Sequence, residues 1–218
     1  MKISGANVII QCLLEQGVDT VFGYPGGRIL PFYDALYDSP LRHIRTAHEQ
    51  GAIHAADGYA RANGQVGVCI ATSGPGATNL VTGIANAYLD SVPLVIITGQ
   101  VATNLIGADA FQEVDIYGIT MPITKHNFLV KDGDALPEII RSAFSIARSD
   151  RPGPVLIDIP SDIQTSMIEF SLQTEKTGEI GKGKLSNAGS ALVDEAVAVI
   201  NAARQPVLIV GGGAVSGA

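Results

Sequence analysis

The sequence predicts an α/β fold in which a mostly parallel sheet is flanked by helices. Three observations support this prediction. Six short apolar segments have the length of strands, several of them lack the polar alternation of a half-exposed strand, and segments with helical periodicity separate them. Strands and helices in alternation are typical of a parallel sheet covered on both faces. The predicted strands are residues 20–23, 43–47, 66–71, 94–99, 123–130 and 155–159.

The helices are predicted from apolar residues that recur at helical spacing. The first such stripe runs from Ala6 to Leu14, with Ser4 as its N-cap and Gly17 as its stop signal. Three further stripes lie between predicted strands. They cover residues 52–60, 77–88 and 139–147.

The composition changes after Pro160 and divides the chain. Residues 166–188 are rich in Gly, Lys, Glu, Ser and Thr and are predicted to be a linker. It would separate a first domain, residues 1–165, from the beginning of a second α/β domain, residues 189–218. That last part shows one helical stripe and one strand-like run, residues 207–210. Because such a strand needs parallel neighbours, we expect the chain to be an amino-terminal piece of a longer protein.

Composition and charge exclude several functional classes. The 218 residues are 46% hydrophobic and 16% charged, with a net charge of -7 and no basic cluster, so we expect no nucleic-acid partner. The longest strongly apolar run, residues 92–98, is too short to cross a membrane, and no signal peptide is recognisable. Cys12 and Cys69 are far apart in apolar segments, which indicates buried thiols in a reducing compartment. We therefore predict a cytoplasmic protein without a membrane partner.

Three catalytic motifs are incomplete. His54 follows His48 by six residues rather than the four of a zinc-protease helix, so no metal site is predicted. Ser73 lacks the flanking glycines of a nucleophile elbow. The glycines at residues 211–213 match a dinucleotide-binding fingerprint only in part.

Glu49 is the most informative polar residue, because it follows a predicted strand and extends the apolar stripe of the next helix. It could be a carboxylate favoured by the helix N-terminus, or a carboxyl group held in an apolar cleft at the end of a parallel strand. Glycine-rich turns at residues 23–27 and 73–76 follow other strands and would reach the same edge. Residues 110–113 would either join them or form only a surface loop.

Taken jointly, six motifs resemble the large catalytic subunit of acetolactate synthase, a family that uses thiamine diphosphate. The likeness covers essentially the whole chain, in the order of the family. The motifs are GVDTVFGYPGG at residues 17–27, HEQG at 48–51, ATSGPGATNL at 71–80, ITGQV at 97–101, DAFQE at 109–113 and RPGPV at 151–155.

The resemblance implies roles for residues of this chain. The first domain would bind the aminopyrimidine ring of the cofactor. Glu49 would be the catalytic carboxyl group that hydrogen-bonds a ring nitrogen and promotes the imino tautomer of that ring. Phe111 and Gln112 would face the bound keto acid. The remaining cofactor-binding residues would be Pro25, Gly26, Pro75 and Asn79 in the cleft and Arg151 on flavin (FAD).

The implied reaction joins two pyruvates, or pyruvate and 2-oxobutyrate, with loss of carbon dioxide, in the first common step of branched-chain amino acid biosynthesis. The resemblance also implies Mg²⁺ with ligands outside this chain, a homo-oligomer (dimer or tetramer) and a possible small regulatory subunit, so the chain alone would be inactive. The alternatives are a related thiamine enzyme such as pyruvate oxidase, or a noncatalytic nucleotide-binding or regulatory domain. One departure is Ser161, where the family usually has Lys between Pro and Asp.

Overall fold

A parallel sheet forms the centre of the first of two compact units, Met1–Lys176 and Thr177–Ala218. The computed structural model describes residues 1–173 and 190–216. The first unit contains, in chain order, β1 (Lys2–Ser4), α1 (Gly5–Glu15), β2 (Thr20–Gly23), α2 (Leu30–Tyr37), β3 (Arg42–Arg45), α3 (Glu49–Asn63), β4 (Gly67–Ala71), α4 (Pro75–Thr78), α5 (Val81–Leu89), β5 (Leu94–Gln100), α6 (Ile116–Thr120), β6 (His126–Leu129), α7 (Leu136–Arg148), β7 (Pro154–Pro160), α8 (Ser161–Thr165) and β8 (Met167–Glu169).

The six strands of the main sheet are ordered β3-β2-β4-β5-β7-β6, and every neighbouring pair is parallel. The predicted fold class is therefore confirmed. All six strands end at one edge of the sheet, here called the carboxyl edge, and begin at the opposite amino edge. In α/β proteins of this kind, ligands bind outside the carboxyl ends of the strands.

The first helix shows how local sequence sets an element. The hydroxyl of Ser4 accepts a hydrogen bond from the Asn7 amide at 3.3 Å and caps α1. Gly17 follows the helix with a φ of 76°, a conformation that glycine adopts without steric cost. The cap and the stop signal thus lie where the sequence predicts them.

Each face of the sheet carries its own apolar core. The helices α1, α2 and α7 cover one face, and α3 and α5 cover the other. Gly83 lets α5 approach α3 closely, because a Cβ at this position would collide with Ile53. Burying each large side chain contributes about 1.5–3 kcal/mol to stability, which fixes α3 and α5 relative to the sheet. Fully buried examples are Ile9, Leu13, Phe32 and Phe144 on the first face, and Ile53, Leu80, Ile84 and Ile96 on the second.

Several predicted boundaries change. The stripe at residues 77–88 is divided between α4 and α5, and the predicted strand 123–130 is ordered as a strand only in β6, after a 3-10 turn at Met121–Ile123. The predicted strand at residues 207–210 is wrong, because those residues are exposed and pair with no strand within the described part of the chain. A lone strand has no neighbour for its backbone hydrogen bonds.

The first unit extends beyond the predicted domain boundary at residue 165. The strand β8 lies in the segment predicted as a linker and pairs antiparallel with β1, so that Ile3 faces Ile168. Phe170 is also buried. Residues 174–188 of the predicted linker lie outside the described residues.

The second unit contains α9 (Ser190–Ala202), where the sequence predicts a helix, and α10 (Gly212–Ser216). Among the described residues, no helix has both the length and the apolar character needed to span a membrane.

Candidate functional site

The candidate site lies at the carboxyl edge, where the turns after β2 and β4 meet the start of α3. Glu49 is the first residue of α3, and the helix is capped by His48, whose Nδ1 accepts a hydrogen bond from the Gln50 amide at 3.1 Å. The Glu49 side chain is nevertheless buried, with the residue only 8% exposed. Glu49 therefore stands at a helix N-terminus and is also buried, and the interpretation as a ligand-binding carboxyl group stays a prediction.

Asn79 holds the Glu49 carboxylate in place. Its Nδ2 donates a hydrogen bond to Glu49 Oε2 at 2.9 Å. Asn79 follows the last residue of α4 and is half-buried, so the amide reaches the carboxylate from the neighbouring βα unit. This hydrogen bond fixes one of the two oxygens of the Glu49 carboxyl group.

Glycines line the wall next to this carboxylate. A Cβ on Gly26 would lie 2.5 Å from Thr72 Cγ2, and one on Gly76 would lie 2.7 Å from the same atom. The Gly76 position is also 3.3 Å from Glu49 Oε1. The Thr72 hydroxyl accepts a hydrogen bond from the Arg28 amide at 3.1 Å and so joins the two glycine turns. Only glycine fits at these two positions, which brings backbone close to the cleft.

The turn after β4 contributes a buried hydroxyl. Ser73 is 1% exposed, and its Oγ has no hydrogen-bond partner within the described residues. Gly74 has a φ of 59°, and Pro75 begins α4 directly after it. A buried polar atom without a partner is costly, so a ligand that hydrogen-bonds Ser73 would gain affinity. Pro25 precedes Gly26 in the other turn.

The segment around Phe111 and Gln112 reaches the same turn. A Cβ on Gly74 would lie 2.6 Å from the Gln112 carbonyl oxygen, so the two backbones are in contact. The Phe111 ring is 79% exposed. Glu113 braces the segment by accepting hydrogen bonds from the amides of Gly107 and Ala110, which lower the pKa of its carboxyl group. The segment thus forms an ordered turn beside the glycine wall.

Arg151 lies at the amino edge, away from Glu49. It precedes β7, donates from Nε to Ser91 Oγ at 2.7 Å, and donates from Nη2 to the Leu89 carbonyl at 3.0 Å. The structure therefore brings together the predicted cleft residues and the Gln112 segment but not Arg151.

Sequence analysis considered Ser73 only as a nucleophile and as part of the turn at residues 73–76, and it missed Thr72 and Gln164. Thr72 directly precedes that glycine-rich turn, which is a signal that could have found it. Gln164, on α8, is fully buried and donates from Nε2 to the carbonyls of Arg28 at 2.9 Å and Ile159 at 3.0 Å. No motif in the sequence marks it: Arg28 is distant in sequence, and the Ile159 carbonyl comes within reach only through the turn from β7 into α8.

Neither metal chemistry nor thiol chemistry is apparent. In residues 1–173 and 190–216, no three His, Cys, Asp or Glu side chains are placed to hold a metal ion. Cys12 and Cys69 are free and buried. Burial raises the pKa of the Cys12 thiol to about 12 and also raises that of Cys69, which makes both poor nucleophiles.

Comparison with known proteins agrees with this geometry. Residues 3–119 match the family described as thiamine pyrophosphate enzyme, N-terminal TPP binding domain. Acetolactate synthase from Mycobacterium bovis is 56% identical over 217 residues, which are 99% of this chain and 35% of that protein. The acetolactate synthase large subunit of Corynebacterium glutamicum is 53% identical over 215 residues, covering 98% of this chain and 34% of the relative.

The isozyme 1 large subunit of Escherichia coli K12 is 52% identical over 216 residues, covering 99% of this chain and 38% of the relative. The chain therefore spans about a third of the length of these curated relatives. The similarity confirms the predicted resemblance. Since the family model covers more than half of the residues, the chain belongs to the thiamine pyrophosphate enzyme family and carries its N-terminal TPP binding domain.

Proposed function

We propose that this chain supplies the aminopyrimidine-binding half of the active site of an acetolactate synthase. The whole enzyme would condense two pyruvates, or pyruvate and 2-oxobutyrate, with loss of carbon dioxide. The observation that carries the proposal is the buried Glu49 carboxylate, held by Asn79 in a cleft walled by glycines. The names of the similar proteins support the reaction class.

The residues of the cleft fit thiamine diphosphate. Glu49 offers a carboxyl oxygen to the cofactor ring, and the Ser73 hydroxyl, which has no partner among the described residues, offers a second polar group. When bound, thiamine diphosphate supplies a carbon nucleophile that attacks the carbonyl of a 2-oxo acid.

Glu49 would hold and share the proton of a ring nitrogen. Its Oε2 is engaged by Asn79, so Oε1, the oxygen next to Gly76, is the one directed to the cofactor. Glu49 is only 8% exposed, so water has little access to the carboxyl group that would share this proton. The Gln112 segment, packed on Gly74, would position Phe111 and Gln112 toward the keto acid.

Other parts of the proposal concern groups beyond this site. Mg²⁺ would take its ligands from outside this chain, and FAD would contact Arg151, which is exposed. A homo-oligomer, a small regulatory subunit and a cytoplasmic location belong to the same proposal.

The proposal is tested in a chimera in which this chain replaces the equivalent part of the E. coli isozyme 1 large subunit. Acetolactate formation from pyruvate is the expected result, and acetyl phosphate would instead indicate a pyruvate oxidase. Glu49→Gln should abolish turnover. The matched control is Glu138→Gln, because Glu138 also lies in the first turn of a helix, α7, but is exposed. Equal turnover in the two variants would contradict the proposed role of Glu49.

The chain alone should be silent, because the diphosphate and its metal would be held elsewhere. Calorimetric titration of the 218-residue chain with thiamine diphosphate and Mg²⁺ checks this expectation. Tight binding accompanied by acetolactate formation would show that the chain already contains a whole active site.

A further inference from the structure

A buried carboxyl group lies inside the sheet, away from the cleft. Asp158, in the middle of β7, is 2% exposed. It pairs in register with Thr98 on β5, whose hydroxyl donates to Asp158 Oδ1 at 2.7 Å. Gln100, two residues further along β5, donates from Nε2 to Asp158 Oδ2 at 2.8 Å. Both donors are neutral, so no cation offsets the cost of burying this group through these hydrogen bonds.

Gln100 continues the hydrogen-bond network toward the substrate-facing segment. Its Nε2 also donates to the Val114 carbonyl at 3.1 Å, and its Oε1 accepts from the Val101 amide at 2.9 Å. The side chain is 4% exposed. With two hydrogens on Nε2, one reaches Asp158 and the other reaches Val114. The orientation of the amide is therefore set by the carboxyl group behind it.

Val114 stands two residues after Gln112, which packs on Gly74. Gln112 has a positive φ of 59°, which an L-residue adopts only when its surroundings hold it. The segment is thus held by the hydrogen bonds that the Glu113 carboxylate accepts and by the one that the Val114 carbonyl accepts. The second of these contacts depends on Gln100.

We propose that Asp158 is a positioning residue that acts through Gln100 to place the segment 109–114 beside the cleft. The inference that this segment faces substrate rests on the proposed function. Asp158 Oδ2 and the Val114 carbonyl accept from the same Gln100 amide nitrogen, so the carboxyl group fixes the direction in which that amide reaches the segment.

The chemistry of Asp158 supplies a conservative variant. Desolvation raises the pKa of Asp158 to about 7, and the nearby charge of Asp115 acts in the same direction. The hydrogen bonds from Thr98 and Gln100 act in the opposite direction and lower this pKa. The acceptor for Gln100 is Oδ2 in either protonation state, because a proton can sit on Oδ1 while the Thr98 hydroxyl accepts. Asn at position 158 would reproduce the protonated form, with an oxygen toward Gln100 and an amide toward Thr98.

The test measures hydrogen exchange of peptides covering residues 107–118 in the 218-residue chain. In Asp158→Leu, exchange should become at least about tenfold faster, since the Val114 contact is released. In Asp158→Asn it should stay within about twofold of the original. Thr98→Val is the matched control, because it touches the same carboxyl group but makes no contact with the segment. It should lower the melting temperature while leaving exchange of residues 107–118 unchanged.

Unchanged exchange in a folded Asp158→Leu chain would overturn the proposal, as would equal acceleration in Thr98→Val. If Asp158→Leu does not fold, Gln100→Met removes the Nε2 donors with a side chain of similar size. Unchanged exchange in Gln100→Met, or equal acceleration in Thr98→Val, would then overturn the proposal. In the chimera, Asp158→Leu should raise the pyruvate KM at least about fivefold, with thiamine diphosphate affinity within about twofold. If the parent chimera is inactive but Asp158→Leu still accelerates hydrogen exchange of residues 107–118, the proposed function is refuted. The positioning role of Asp158 is then still supported.

Discussion

The two edges of the sheet use polar side chains in different ways. At the amino edge, Asp57 is paired with Arg61, which also contacts Asp90 at 2.7 Å, and the Tyr59 hydroxyl donates to Asp19 at 2.6 Å. At the carboxyl edge, Glu49 is instead buried against glycine backbone and accepts a hydrogen bond from Asn79. The amino edge thus carries these ion pairs, whereas the carboxyl edge carries a buried carboxyl group in close contact with glycine backbone.

A cavity at the amino edge does not coincide with the candidate site. It has a volume of about 410 Å³ and is lined by Asp19, Tyr59 and Arg148. Gly17 also lines it, and a Cβ there would meet nothing within 4 Å. At the carboxyl edge, Gly26 and Gly76 could not carry a Cβ without displacing Thr72. Close packing around a buried carboxyl group is therefore the feature of the carboxyl edge on which the proposed site rests.

The largest expected effect comes from Glu49→Gln, compared with Asp57→Asn. Both carboxylates are buried, but only Glu49 lies at the carboxyl edge. Glu49→Gln should reduce kcat by at least about 100-fold, because the amide keeps the volume and cannot relay a proton. Asp57→Asn should lower stability and leave kcat within a few-fold. Steady-state acetolactate formation in the chimera measures both. A Glu49→Gln enzyme within about tenfold of the parent, about 1.4 kcal/mol of barrier, would remove the distinction between the edges.

Asp158, between the edges, should give the chain a pH-dependent stability. Because its folded pKa of about 7 exceeds the usual 3.8, its contribution is fully present below about pH 4 and is lost as the pH rises toward 7. The loss amounts to at most about 1.4 kcal/mol per pH unit in that window. Urea unfolding at pH 5, 6 and 7 should show this slope, and Asp158→Asn should flatten it. An unchanged slope in the variant would assign the pH dependence to other groups.

Gly76→Ala, compared with Gly58→Ala, tests whether a glycine in close contact with its neighbours matters more than one that faces open space. Its Cβ would lie 2.7 Å from Thr72 Cγ2, so we expect a loss of about 1–3 kcal/mol in the free energy of unfolding and weaker thiamine diphosphate binding in the chimera. Gly58→Ala, on the exposed face of α3, is the control, since a Cβ there meets nothing within 4 Å. It should stabilise the chain by about 0.5–1 kcal/mol. Similar melting temperatures for the two variants would mean that the glycine wall can relax.

Asn79→Ala should weaken cofactor binding more than it weakens the fold. It removes the donor to Glu49 Oε2, and we expect about a tenfold loss of thiamine diphosphate affinity in the chimera. Titration calorimetry and thermal melting measure the two effects side by side. A lower melting temperature with unchanged affinity would instead make Asn79 a structural residue of the α4 turn.

The smallest effect is expected from Asp90→Asn at the amino edge. The Arg61 side chain is 45% exposed and that of Asp90 is 52% exposed, so the pair is screened by solvent. We expect a change in the free energy of unfolding of about 1 kcal/mol or less and no change in cofactor affinity. Chemical denaturation and calorimetry measure these two quantities. A clear loss of affinity would show that the amino edge also serves the site.

The sequence by itself determined the parallel sheet, the main helices and the family. Apolar runs of strand length mark the six strands because a strand covered on both faces buries every side chain. Ser4 and Gly17 bound α1 through local hydrogen bonding and backbone freedom. The glycine-rich turns predicted the edge where Glu49 lies, because all parallel strands end on one side.

Only the tertiary structure decided which distant side chains meet. It pairs β1 with β8 although more than 160 residues separate them, and it places Arg151 at the edge opposite Glu49. It also joins Asp158 to Gln100, 58 residues apart, and orients that pair toward Val114. The physical reason is that local pattern records burial and turn chemistry, whereas such contacts depend on the order of strands in the sheet and the packing of the crossover helices.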